Sequence, residues 1–492
     1  MDLRIQNGII RGMHEQGCAA FKGIPFAKPP VGALRFRPPE PCEDWFGALD
    51  CTRYGPRPVQ FHEPGNPDKD SAVYSEDCLN LNVWTPSADG KKRPVLFDIY
   101  GGGHMEGSNS EPGFAGYHLA REYDIVFVSP NYRVGALGYL YLAHLLGDGY
   151  ASSGNLGLLD LILALQWVQD NIAFFGGDPE QVTIVGQSAG AKSVMDLLAA
   201  PKAGGLFARA VAMSGALQSI KDIGTEKQLT RNFLHAMGLT EETAPQLLTC
   251  SAQEIVRGQE AANQVYFKAE SYGATADGIT LPLDLPGALQ NGEYGHNVPL
   301  MLGHTLQELW PAPGTEPEQA GEEQMRKKFR WKFGDNWEIP FADYQERLKS
   351  RPAEIAYGET ATQFTYVEAY MKNAAVFAAH RQPLWLYRWD YTGGLIANHC
   401  SDNDALFGRT DPEKQRRHPK ETAELDLCYR EAVMRFVKTG DPNGGETPLW
   451  PAASEENPVR MLFDAPPKTE SFTPEHHGDF PLQVFRLPYR KE

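Results

Sequence analysis

An α/β fold, with a mostly parallel central sheet covered by helices on both faces, is predicted by three features of this 492-residue chain. Apolar, β-branched runs alternate with amphipathic stretches from about residue 95 to about residue 215. The strand candidates are apolar throughout instead of alternating with polar residues, which is how strands buried on both faces read. A Gly-x-Ser-x-Gly turn at 186–190 lies between an apolar run at 182–185 and an amphipathic helix pattern that continues to Ala199.

In chain order, the first 60 residues are broken by Gly and Pro and read as short strands joined by turns, wrapping the core without forming their own. Residues 79–84, 95–100 and 125–129 read as strands, the second running into Gly101-Gly102-Gly103. Residues 155–171 place Leu158, Leu161, Ile162, Leu165 and Val168 three and four apart, so a helix with one buried face is expected. It ends before Gly176-Gly177-Asp178-Pro179, and the serine strand follows at once. Residues 220–290 and 315–380 read as mostly helical, polar insertions over the strand ends, where they shape access to a site. Strands return at 299–303 and 384–389, followed by a helix at 424–439. With no internal repeat, the chain reads as one large domain, 1–492.

Hydrophobic residues at 42% and charged residues at 22% describe an ordinary globular protein. The 46 Lys and Arg stand against 63 Asp and Glu, and the net charge of -17 repels phosphate backbones and anionic membranes. No nucleic-acid partner is expected, and a weak bias against anionic substrates remains. No uninterrupted run of 18 apolar residues predicts a membrane span. The opening Met1-Asp2-Leu3-Arg4 lacks the basic-then-apolar pattern of a secretory signal. The seven cysteines are odd in number, scattered and free of Cys-x-x-Cys spacing, which fits reduced thiols in a cytoplasm better than a disulfide frame or a zinc site. A monomer is the expected state.

A serine hydroxyl is a poor nucleophile at neutral pH and needs a base in hydrogen-bond reach, oriented by a carboxylate. Gly186 and Gly190 leave the space beside Ser188 free, so that the turn can be strained and the oxygen exposed. In α/β-hydrolases the order along the chain is Ser, acid, His. His399, just past the strand at 384–389, fits the base, and Glu308, five residues after the strand at 299–303, fits the acid. The rivals Asp402 and Asp404 come after the histidine and follow no strand of their own. Backbone amides must meet the oxyanion of the tetrahedral intermediate; the triplet at 101–103 can supply two and Ala189 a third. As a phosphate cradle the triplet lacks both the Lys of a P-loop and the Gly-x-Gly-x-x-Gly spacing.

Further motifs stand in one order: Gly23-Ile24-Pro25-Phe26-Ala27, Ser75-Glu76-Asp77-Cys78, Asn131-Tyr132-Arg133-Val134, Gly154-Asn155-Leu156-Gly157, Phe175-Gly176-Gly177-Asp178-Pro179 and Gly440-Asp441-Pro442-Asn443. With the serine turn and the glycine triplet, they make the chain resemble the type-B carboxylesterase/lipase family, which includes bacterial para-nitrobenzyl esterases. The resemblance implies an α/β-hydrolase with Ser188 as nucleophile, His399 as general base and acid, Glu308 as orienting carboxylate, and Gly102, Gly103 and Ala189 as oxyanion hole. It implies two-step acyl transfer on a small, neutral carboxylic ester with no metal or organic cofactor. The alternatives are an amide or carbamate hydrolase using the same triad and a non-catalytic binding protein of this fold; the filled triad positions argue against the latter. Four positions depart from the family pattern. Gln187 replaces the usual Glu, Gln307 the usual Asp and His104 the usual aromatic residue, and Cys78 has no cysteine partner within 55–60.

Overall fold

The central sheet has eleven strands: β1 (Met13–Glu15), β2 (Cys18–Pro25), β3 (Asn80–Thr85), β4 (Arg93–Ile99), β5 (Val126–Pro130), β6 (Gly177–Gln187), β7 (Arg209–Met213), β8 (Leu300–Thr305), β9 (Leu384–Trp389), β10 (Val459–Phe463) and β11 (Lys468–Ser471). The structure is a computed structural model describing residues 1–62, 64–265, 272–293, 297–309, 321–472 and 484–485. Across the sheet the order is β11-β10-β9-β8-β7-β6-β4-β5-β3-β2-β1. Every pairing from β10 to β5 is parallel. The outer pairings are antiparallel. Val182, Ile184 and Val185 of β6 are fully buried, as are Leu300, Met301 and Leu302 of β8, which is why these strands read as unbroken apolar runs.

Two expectations change. The N-terminal residues do more than wrap: β1 and β2 extend the main sheet, while Asp2–Ile5, Gly8–Arg11 and Ala48–Asp50 form a separate three-stranded sheet. Their Ile5 and Ile10 enter the main core. The helix α1 (Leu156–Asn171) is buried nearly all round, not on one face, because it is enclosed between the serine strand, its helix and the turn of helix at Gly135–Tyr139. Its Asp160 is fully buried and held by Arg133 at 2.7 Å. The stretch Asp148–Phe175 is long and apolar enough to cross a membrane, with mean hydropathy 1.3, and 67% of that apolar window is buried inside the protein.

The insertions are helical, with Ile223–Ala236 against Ala252–Val265 in the first. The second, polar by composition, has a satellite core of its own, formed by Phe329, Phe333, Phe341, Tyr344 and Phe364. Composition hides it because basic side chains cover the rings: Arg326 lies 4.7 Å from Phe341 and Lys328 3.7 Å from Tyr357. The parts of the insertions at 266–271 and 315–320 lie outside the described residues. The helix expected at 424–439 begins earlier, at Pro419, whose fixed φ suits a first turn.

Candidate active site

Ser188 follows the last residue of β6 and precedes the helix α2 (Ala189–Ala199). Its φ of 59° and ψ of -122° put a non-glycine residue in a strained region, so the turn is a sharp elbow held from both sides. Ser188 N donates to Met213 O at 2.9 Å, and Lys192 N donates to Ser188 O at 2.9 Å. The flanking glycines are required by contact: a Cβ at Gly186 would lie 2.4 Å from the Gly190 backbone, and one at Gly190 would lie 2.0 Å from Ile99 O.

Gly102 and Gly103 have φ of 108° and 64°, and a Cβ at Gly102 would lie 2.2 Å from Glu106 O. With Ser188 and Ala189 they line a cleft of about 430 Å3 whose wall includes Phe61, Met105, Leu309 and Tyr366. Among the described residues no carbonyl outside the strands and helices accepts from the amides of Gly102 or Gly103. Ala189 opens α2, where an amide has no intrahelical acceptor. Gly102, Gly103 and Ala189 thus line the same cleft as Ser188.

Glu308 lies just beyond β8, its side chain fully buried. Oε1 accepts from Thr305 N at 2.7 Å, and Oε2 accepts from His399 Nδ1 at 2.5 Å. Burial raises the carboxyl pKa, but the charge and hydrogen bond of His399, with Ser214 and His304, outweigh it, leaving the group below its ordinary value. The loops carrying acid and histidine are laced together: Gln307 N donates to Ala397 O at 3.0 Å, and Ala397 N donates to Gln307 Oε1 at 2.8 Å. This is the work of the unusual Gln307. With Nδ1–H on Glu308, the lone pair of His399 points from Nε2, which lies 3.1 Å from the Gln187 amide nitrogen. Among the described residues, no hydrogen bond joins Ser188 Oγ to His399.

Asp402 is not brought to the imidazole nitrogens. Fully buried, it accepts from Tyr387 OH at 2.6 Å, and burial pushes its carboxyl up to about 6. His104, a position that left substrate preference open in the sequence, is buried away from the cleft wall, with Nε2 3.1 Å from Ser193 Oγ. Burial and the charges of Lys192 and Lys221 push it down to about 3, so it stays neutral. Sequence reasoning missed Lys192, which lines the cleft beside Ala189. The available signal was a lysine within the first turn after the serine. All seven cysteines are unpaired.

A strained serine, an imidazole–carboxylate pair and converging amides on the carboxyl ends of parallel strands suit acyl transfer. Comparison with known proteins agrees: the model described as "Carboxylesterase family" matches residues 2–480. This chain belongs to the carboxylesterase family. The carboxylesterase is 32% identical over 483 residues to the para-nitrobenzyl esterase of Bacillus subtilis (strain 168), with 94% of each chain covered. It is 30% identical over 471 residues to the phenmedipham hydrolase of Pseudarthrobacter oxydans, covering 92% of this chain and 93% of that one. Among solved structures it is similar to the Geobacillus stearothermophilus carboxylesterase at pH 6.2, with a TM-score of 0.85, 35% identity and coverage of 96% and 97%. A thermophilic pNB esterase gives a TM-score of 0.83 at 30% identity, covering 96% and 97%. The protein is a serine-type carboxylic ester hydrolase of α/β-hydrolase fold.

Proposed function

We propose that Ser188, His399 and Glu308 are nucleophile, general base and orienting acid of an esterase for neutral carboxylic esters, with Gly102, Gly103 and Ala189 forming the oxyanion hole. The observation that carries this reading is the 2.5 Å contact between His399 Nδ1 and Glu308 Oε2, groups 91 residues apart in the chain. It supports the tautomer a base needs, with the lone pair on Nε2. His399 Nε2 takes the Ser188 proton as Oγ attacks the ester carbonyl, and the three amides hold the oxyanion. The protonated imidazole then gives its proton to the departing alkoxide, and water repeats the cycle on the acyl-enzyme. The cleft sets Phe61, Met105 and Leu309 beside Glu106, Glu260, Lys192 and Lys332, so apolar contact surface is flanked by balanced charge, which suits a substrate without net charge.

Ser188→Ala is expected to abolish turnover of p-nitrophenyl and p-nitrobenzyl esters while leaving the melting temperature unchanged. An organophosphonate is expected to label wild type once per chain at Ser188. Full labelling of the alanine variant would overturn the assignment. A second reading, amide or carbamate hydrolysis by the same triad, draws support from kinship with a protein named phenmedipham hydrolase; matched anilides and carbamates beside the esters decide it. We propose one catalytic domain, monomeric, in a bacterial cytoplasm, where the seven unpaired thiols stay reduced; sedimentation and fractionation test this.

A further inference from the structure

We infer that Gln187 is a positioning residue that donates a hydrogen bond to Nε2 of His399 at rest and yields Nε2 to Ser188 in each turnover. The inference rests on the reading of His399 as the base. In the neutral ring with Nδ1–H on Glu308, Nε2 accepts, and the 3.1 Å contact with the Gln187 amide nitrogen is then a hydrogen bond donated by Gln187. The histidine thus rests with its lone pair on the neighbour of the nucleophile, not on the nucleophile itself.

The geometry leaves that amide little choice. Gln187 is the last residue of β6, its backbone registered against Met213 of β7 and its side chain buried. Gly101 closes one side: a Cβ there would lie 2.7 Å from Gln187 O and 3.2 Å from Gln187 Oε1. Glycine at 101 makes room for the Gln187 backbone carbonyl and, less tightly, for its amide oxygen. Three other elements face the imidazole. Glu308 contacts it directly from the loop after β8. Asp402, on the helix α3 (Ser401–Phe407), is held by Tyr387. The ring of Tyr366 lies 5.2 Å away from the second insertion. Of these, only Gln187 touches Nε2.

An amide can serve both states of the base. Its N–H donates to the neutral ring, and after rotation its carbonyl can accept from Nε2–H once the serine proton has arrived. A carboxylate at 187 could only accept, and would favour the protonated ring before the reaction begins. A thioether could do neither.

The test is the pH profile of kcat/KM for p-nitrophenyl butyrate in wild type, Gln187→Glu and Gln187→Met, with competent sites counted by phosphonate labelling. Gln187→Glu is expected to move the midpoint of the acid limb up by about one pH unit or more, as an opposite charge beside a titrating group does. Gln187→Met, which loses a hydrogen bond to the neutral form worth roughly a two- to tenfold preference, should move it up by less than one unit. On the alkaline plateau the methionine variant is expected to equal or exceed wild type severalfold, because Nε2 no longer has to be freed. A midpoint unmoved in either labelled variant, or a uniform fall at every pH as a merely structural role would give, overturns the inference. Wild type that fails to label at Ser188 refutes the proposed triad instead.

Discussion

Glu308→Gln separates orientation from mere proximity at this site. Two hydrogen bonds reach the carboxylate, from Thr305 N at 2.7 Å on Oε1 and from His399 Nδ1–H at 2.5 Å on Oε2, and Ser214 also favours its charged form. A glutamine has one acceptor oxygen for these two donors. Thr305 N belongs to the end of β8 and cannot turn away, so the amide oxygen stays on it and the NH2 group faces Nδ1. The histidine must then accept at Nδ1 and carry its proton on Nε2, the tautomer that cannot take a proton from serine. Such an inversion in a serine triad costs on the order of 10⁴ in kcat, and loss of the orienting carboxylate in general on the order of 10² to 10⁴, so a fall toward the upper end is expected. The assay is kcat on p-nitrophenyl butyrate with competent sites counted by burst amplitude, beside Asp402→Asn as control. Asp402 serves Tyr387, so its variant should keep kcat within about tenfold of wild type. Glu308→Gln within tenfold of wild type, with Asp402→Asn the more damaging change, would refute both the acid and the tautomer.

Two further outcomes follow from charges elsewhere. Asp98 on β4 is buried, and burial raises its carboxyl from 3.8 to about 7, so the fold holds it protonated where the unfolded chain would ionise. That contribution to stability is present below about pH 4 and lost as pH rises toward 7; Asp98→Asn should therefore match wild type near pH 4 and exceed it at pH 8. At about 1.4 kcal/mol per pH unit the gain is bounded at roughly 4 kcal/mol, read from denaturation midpoints; a gain largest at pH 4 would contradict it. At the cleft, Gln187 is neutral and Phe61 is an exposed aromatic on the wall. Butyrylcholine is expected to show less than a tenfold kcat/KM advantage over an uncharged isostere at about 0.15 M salt, since a cation over one ring gains roughly 0.5 to 2 kcal/mol and long-range steering is screened. A larger advantage lost in Phe61→Ala would reveal a cation site.

The order of the candidate residues was readable because it lies in local patterns: a β-branched run marks β6, an apolar Leu-Met-Leu run marks β8, and the glycines at 186 and 190 mark an elbow whose backbones touch. Glu308 could be preferred to Asp402 by strand order alone. The hydrogen bond from Tyr387 that occupies Asp402 depends on tertiary placement and leaves no trace in spacing. The near-complete burial of α1 was hidden for the same reason, since most of its outer face is covered by other segments of the fold. The aromatic core of the second insertion was hidden by composition, its rings lying under Arg and Lys stems. Gln187, Gln307 and His104 were legible as departures, but their effects were not, because each depends on a partner across the fold.

Those partners explain how a site drawn from distant parts of the chain is held to the tolerance catalysis needs, about half an ångström. Ser188 and Glu308 sit just past strand ends, and the loops that carry the three proposed catalytic residues are tied to one another or to the neighbouring strand. Ser188 N bonds Met213 O at the end of β7, Ser214 N bonds Gly303 O of β8, and Leu306 N bonds Trp389 O of β9. The parallel register β6-β7-β8-β9 is thus carried past the sheet into the loops. The last link is made by side chain, where Gln307 Oε1 holds Ala397 N and the parallel bridge from Gln307 to Asn398 continues the ladder to the residue before His399. An aspartate at 307 is one methylene shorter and carries a charge; glutamine reaches the same backbone amide without placing a second carboxylate beside Glu308. That matters because a neighbouring negative charge would raise the acid's own affinity for protons. The departure at 307 therefore preserves both the geometry and the ionisation of the carboxylate that orients the base.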